Sequence, residues 1–155
     1  MKKLFASLVI LLGGMFLITG CGAKNVEGTL EEIMTKVYAE VPEDQRPMGL
    51  TNMKVTEENV EGFLGSADIK YAEALASESM VGSIAHSVVL LRTEEGADVE
   101  KVKEQISENV NPRKWICVGV EKEDVIIKNK GNLIIVVIVE NEEARTKLEA
   151  GFDSL

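Results

Sequence analysis

One histidine, His86, two cysteines, Cys21 and Cys117, and one tryptophan, Trp115, are the side chains of this 155-residue chain with the most scope for chemistry. Metal binding and acid–base catalysis draw on clusters of His, Cys or carboxylate groups, and the chain has no Cys-x-x-Cys, no His-Glu-x-x-His and no EF-hand loop. His86 falls in the run Ile84 to Arg92, on the strand face of Val88 and Leu90. It reads as a packed or edge-strand histidine, with a pH sensor or catalytic base as the alternative. Ser77, Ser79, Ser83 and Ser87 surround it, but a nucleophilic serine needs an oriented base and an oxyanion site, and no Gly-x-Ser-x-Gly occurs. Turn chemistry accounts better for Ser79 and Ser83. Glycine-rich phosphate loops are absent as well, so neither a cofactor nor a metal is expected.

Trp115 and Cys117 lie in Arg113-Lys114-Trp115-Ile116-Cys117-Val118-Gly119, a segment too apolar for a solvated loop. It reads as a core plug beneath a sheet, since thiols are often buried and indoles fill large volumes; the alternative is a binding patch around the indole. Trp115, Tyr71 and His86 are thus the candidate binding residues. A concave pocket around Trp115 or Tyr71 would favour a small ligand, and a flat apolar patch a protein partner. The acidic runs Glu121 to Asp124 and Glu140 to Glu143 would attract Ca²⁺ only if they met at one end of a sheet. Neither supplies the spaced oxygen ligands of a dedicated site, so they read as solvated charge.

Cys21 stands in a different context. Lys2 and Lys3 precede an apolar run from Leu4 to Ile18 broken only by Ser7, Gly13 and Gly14, the layout of an export signal. A free-standing span needs roughly 20 apolar residues, and this run is shorter. Ile18-Thr19-Gly20-Cys21 then resembles a lipobox: small residues let the peptide enter a protease extended, and the sulfur becomes a thioether to diacylglycerol. Cleavage between Gly20 and Cys21 is expected, with lipidation of Cys21. The alternatives are an ordinary signal peptide with a fortuitous cysteine, or an uncleaved span.

Removing residues 1–20 takes two lysines and no acid, leaving 135 residues with 15 basic and 26 acidic side chains and a net charge of −11. Such a domain is poorly suited to nucleic acid and is repelled by anionic lipid head groups. With Cys21 alkylated, Cys117 is the only free thiol, so packing alone must hold the fold. The length suits one core. The expected organisation is a signal peptide over 1–20, a tether over 21–27 and a single α+β domain over 28–155.

The elements that would position these residues follow from periodicity. Thr29 and Glu32 form a capping-box pattern before Leu30, Ile33, Met34, Val37 and Val41, a helix that Pro42 stops. Residues 42–52 read as a loop, and Met53 and Val55 as a short extended piece. Thr56 reads as the cap of a short helix with Val60, Phe63 and Leu64 inside and Gly65 as its stop. A strand is expected near Ile69 to Ala76, although its alanines suit a helix equally, and a second over Ile84 to Arg92 pairs with it antiparallel. Asp98 caps a helix with Val99, Val102, Ile106 and Val110 on one face, ended or kinked at Asn111-Pro112. Val125 to Ile127, a turn at Gly131, and Leu133 to Val139 make a hairpin whose seven-residue apolar run implies a strand covered on both faces. Asn141 caps a last helix through Leu148 and Phe152. The order points to an α+β fold: an antiparallel sheet of about four strands packed against helices.

Together the lipobox, Ser79-Met80 before the strand of His86 to Leu91, the Asp98 to Val110 helix and Gly131-Asn132 before the last strand resemble a family of small Firmicutes lipoproteins carrying a domain of unknown function. The resemblance covers most of residues 28–155 and implies an exported, membrane-anchored α+β domain on the outer face of the membrane. It brings no catalytic residues. The expectation is therefore a non-catalytic binding or accessory protein with membrane lipid as its partner through Cys21. A cell-envelope hydrolase using His86 and nearby carboxylates, or a spacer in a membrane complex, are the alternatives.

Overall fold

A computed structural model describes residues 25–155. The expected signal peptide, Gly20, Cys21 and the first part of the tether lie outside the described residues.

Helix α1 (Leu30–Val37) opens with the expected capping box: the Thr29 hydroxyl accepts from the Glu32 amide at 3.2 Å and the Glu32 carboxylate accepts from the Thr29 amide at 3.0 Å. The helix ends at Tyr38, short of Pro42, and a tight turn brings Val41 back into the core. The segment expected as a loop ends in a strand, β1 (Leu50–Lys54). Helix α2 (Val60–Leu64) starts a turn later than expected, because the Asn59 carboxamide binds the Thr56 amide and holds residues 56–59 in a turn. Gly65 stops it in the left-handed region, as expected.

Strand β2 (Glu73–Ser79) begins four residues beyond Ile69, and β3 (His86–Arg92) pairs with it antiparallel as expected. Asp98 caps α3 (Val99–Asn109), β4 (Ile126–Lys130) and β5 (Leu133–Val139) form the hairpin around Gly131-Asn132, and Asn141 caps α4 (Glu142–Asp153).

The sheet has five strands, one more than the four expected, in the order β1-β2-β3-β5-β4 with every neighbouring pair antiparallel. The fold is α+β, and its sheet is sandwiched. Leu75, Val88, Leu90, Leu133, Ile135 and Val137 face α1 and α4, while Ala74, Ala76, Val89, Leu91, Ile134, Val136 and Ile138 face α2 and α3. All seven side chains of β5 are buried, which explains why its sequence does not alternate. Each such side chain contributes about 1.5–3 kcal/mol, so the central strands dominate the hydrophobic stabilisation.

Two glycines set the helix spacing. A β-carbon on Gly151 of α4 would lie 2.3 Å from the Val37 carbonyl of α1, and one on Gly65 would lie 2.0 Å from the Asn109 carbonyl of α3. Both contacts are backbone to backbone, so no side-chain rotation can relieve a larger residue.

The strands define two ends of the sheet. Ser79, His86 and Val139 lie at one; Glu73, Arg92 and Leu133 lie at the other. The chain enters the domain at the Arg92 end. There the Arg92 guanidinium donates to the carbonyls of Val26 (2.8 Å) and Gly28 (2.9 Å) and pairs with Glu73 (2.8 Å), while the Asn132 amide donates to Asn25.

Candidate functional site

The three candidate binding residues do not meet. His86 opens β3 on the α1 and α4 face, Trp115 packs on the opposite face, and Tyr71 sits half-buried at the Arg92 end beside Val55, Val60 and Ile69.

His86 is 3% exposed, and its Nε2 lies 2.7 Å from the Tyr38 hydroxyl, with the two rings stacked. Arg46 lies over the Tyr38 ring, 5.8 Å from its centre, and is fastened by hydrogen bonds to the carbonyls of Tyr38 and Val41. Burial pushes the imidazole down to about 4 and the phenol well above its ordinary value, so both are neutral at pH 7. Both groups being neutral, the phenol donates to Nε2 in one imidazole tautomer and accepts from it in the other. Among the described residues no carboxylate is bonded to His86, and a base this weak and this covered can take up a proton only in acid. This is the packed histidine of the first reading.

The Trp115 segment differs from its expectation. The indole does rest against the α2 and α3 core, but Ile116 and Cys117 are exposed, so the segment is a surface loop and not a core plug. Backbone bonds hold it in place of burial: Val120 donates to Pro112, and Ile116 donates to Gly82 in the β2–β3 turn. Arg113 and Glu121 pair across its base. Cys117 turns the chain with φ 61, a left-handed conformation that removes its thiol from the interior.

This loop closes one side of a cleft at the His86 end, on the α2 and α3 face. The cleft holds about 680 Å³ and is lined by Met53, Phe63, Met80, Lys114 and Trp115, with Glu58 and Glu61 on the α2 rim. On its floor the Lys114 ammonium lies 4.8 Å from the centre of the Phe63 ring and 5.2 Å from that of Trp115. It donates to Glu78 (2.8 Å) and to the Gly62 carbonyl (3.1 Å). Burial pulls Lys114 below its ordinary value, and the Glu78 carboxylate pulls it back up. Two aromatic faces and one carboxylate thus satisfy a half-sunk cation. The Trp115 Nε1–H is buried and has no partner among the described residues.

Apolar exposure gathers at the same end. Among the described residues Met48 (77% exposed), Met80 (65%) and Ile116 (72%) are the exposed large hydrophobic ones, and backbone bonds tie their three loops together, Met80 to Gly49 and Ile116 to Gly82. Ser79 joins two of them by donating to the Met48 carbonyl and accepting from the Val81 amide, the turn role expected of it. Sequence reading singled out Trp115 but missed Lys114, Glu78, Phe63 and the two methionines. The only local signal was a lysine directly before the indole.

The acidic runs do approach one another at this end, and an arginine lies between them. Arg145 pairs with Asp124 at 3.2 Å and donates to the Val139 carbonyl, while Lys147 pairs with Glu143. Among the described residues no group of three or more His, Cys, Asp or Glu side chains is placed to hold a metal, and no helix is long and apolar enough to cross a membrane. Comparison of the chain with protein-family models, with curated proteins and with solved structures found no match in any of the three.

Proposed function

We propose that the protein is an exported lipoprotein of the kind the first 21 residues resemble, held on the outer face of the membrane through Cys21, and that its domain is a non-catalytic binding module. The observation that carries the reading is the polarity of the sheet. The chain enters at the Arg92 end, whereas the aromatic cleft and the exposed Met48, Met80 and Ile116 lie at the other. Seven-residue strands separate the two ends by about 20 Å. A tether fixed at one end would present the cleft away from the membrane, and a domain of net charge −11 favours that orientation over lying against anionic lipid. Two acyl chains, at about 0.8 kcal/mol per buried CH₂, would make release slow.

Two measurements test this. Mass spectrometry of the mature N-terminus should find Cys21 carrying diacylglycerol, and Cys21→Ser should release the protein from the membrane fraction; an unmodified Cys21 refutes the anchor. A photo-crosslinker at Met80 should give a discrete adduct on intact cells, while one at Glu95, near the Arg92 end, should not. Equal labelling from both positions refutes the cleft as the binding end.

A further inference from the structure

Strand β1 is an edge of the sheet, and its hydrogen bonding is half used. Val55 donates to Ala74 and Met80 donates to Gly49, which fixes Gly49, Thr51, Met53 and Val55 as the residues whose backbone groups point at β2. Leu50, Asn52 and Lys54 therefore aim their N–H and C=O groups outward. The Lys54 carbonyl is taken by the Asn59 carboxamide. The remaining outward groups of Leu50 and Asn52, and the Lys54 N–H, have no partner among the described residues.

An open edge on both faces of which a hollow lies beside the strand is unusual, because edge strands are commonly covered or guarded by charge. On one face Met53 borders the Phe63 and Trp115 cleft. On the other, Leu50 and Asn52 border a second hollow of about 470 Å³, with Met34, Tyr38 and Ser77. The helices cover the central strands and stop short of β1, leaving a recess on either side. An added strand sends alternate side chains to opposite faces, so its odd and even residues would enter the two recesses.

Charge selects the occupant. Glu58 and Glu61 line the cleft, and neither is paired with a cation among the described residues, while the Lys114 ammonium is already satisfied by Glu78. The chain as a whole is acidic, with a net charge of −9. Resting on the binding reading above, we infer that β1 is a strand-addition site for an extended segment of a partner protein in which apolar side chains alternate with Lys or Arg. Backbone pairing to Leu50 and Asn52 supplies register, the cations enter the cleft lined by Glu58 and Glu61, and the apolar residues enter the other hollow beside Met34, Tyr38 and Leu50, where Arg46 disfavours a second cation. Lys54 closes the edge at the Arg92 end, so the segment is read from the His86 end.

The probe is a synthetic decapeptide alternating Val and Lys, titrated into the protein lacking residues 1–20 and followed by the fluorescence of Trp115, the sole tryptophan, and by amide exchange at Leu50, Asn52 and Lys54. Saturable binding, slowed exchange at those amides and weakening by salt are expected. A Val and Glu decapeptide should bind at least about tenfold more weakly. Methylating alternate backbone nitrogens of the Val and Lys peptide leaves the protein unchanged and should weaken binding about tenfold, the loss expected from one or two hydrogen bonds. Asn52→Pro removes an N–H that β2 does not use, keeps the sheet, and should have the same effect. Equal affinity for native and methylated peptides overturns strand addition while leaving the cleft as a binding site. Absence of any change in Trp115 and the β1 amides with the Val and Lys peptide overturns the peptide assignment. The binding reading is judged separately by the Met80 cross-link.

Discussion

Acid should destabilise this protein through one buried imidazole. In the folded state His86 is pushed down to about 4 by burial, against 6.5 in the unfolded chain. Above pH 7 the ring is neutral in both states and contributes no pH dependence. As the pH falls through 6.5 the unfolded chain takes up a proton that the folded protein refuses, so stability declines until the folded ring protonates near 4. The gap corresponds to about 3 kcal/mol in full, of which about 2 kcal/mol is lost between pH 7 and pH 5. Small domains are stable by only about 5–15 kcal/mol, so this one residue is a large share. Protonation would also make both ring nitrogens donors, so that the Tyr38 hydroxyl could only accept from Nε2. Tyr38, the Arg46 strap and, through Tyr38, the buried Ser77 of β2 lie about the ring; Asp44 and Glu140 line a hollow with it, but neither is bonded to it, and burial is the cause of its low value.

The assay is urea unfolding of the wild type and of His86→Gln at pH 7, 6 and 5. The variant keeps an acceptor near Tyr38 and cannot titrate, while the surface carboxylates are common to both proteins and cancel. The wild type should lose about 2 kcal/mol more than the variant across this range. Equal slopes, or an imidazole resonance of the folded protein titrating near 6.5, would refute the reasoning.

Gly151→Ala should destabilise by about 1–3 kcal/mol from the clash with the Val37 carbonyl, outweighing the roughly 1 kcal/mol of helix propensity gained; calorimetry showing an unchanged melting temperature would contradict the close packing of α1 on α4. Lys114→Met leaves the half-buried Glu78 carboxylate without its partner and should cost about 2 kcal/mol, with part recovered in Lys114→Met/Glu78→Gln; a double-mutant cycle with no coupling would dissolve the pair. Arg92→Ala should speed amide exchange over residues 25–29 while leaving β3 and β5 protected, since its bonds to Val26 and Gly28 are what hold the entering chain. Exchange unchanged at those positions would mean that Asn25 alone fixes it.

Much of the local structure was legible in the sequence because it depends on near neighbours. The Thr29 and Glu32 box, the Asp98 and Asn141 caps, the Gly65 stop and the Gly131-Asn132 hairpin are contacts within four residues, and each formed as read. Errors fell where two local solutions were close in energy. Ile69 is buried but precedes its strand, and the alanines of β2 carry little preference of their own, so pairing with β1 and β3 sets where that strand begins and ends. Leu50 to Lys54 carries too few apolar residues to announce a strand, and becomes one because β2 offers an edge.

Residue types and short spacings thus determined the signal-like N-terminus, the acidity, the helix caps and the α+β class, since these need only hydrophobic periodicity and hydrogen bonds between near neighbours. Only the tertiary structure decided which side chains share a space. Phe63, Glu78 and Lys114 are 15 or more residues apart in sequence, and no periodicity couples them; the approach of α2 to α3 at Gly65 and the Ile116 to Gly82 bond bring them to one cleft. The same long-range packing separated His86, Tyr71 and Trp115 onto two faces and two ends. It also turned Cys117 out to solvent, because a backbone-anchored loop needs no apolar interior.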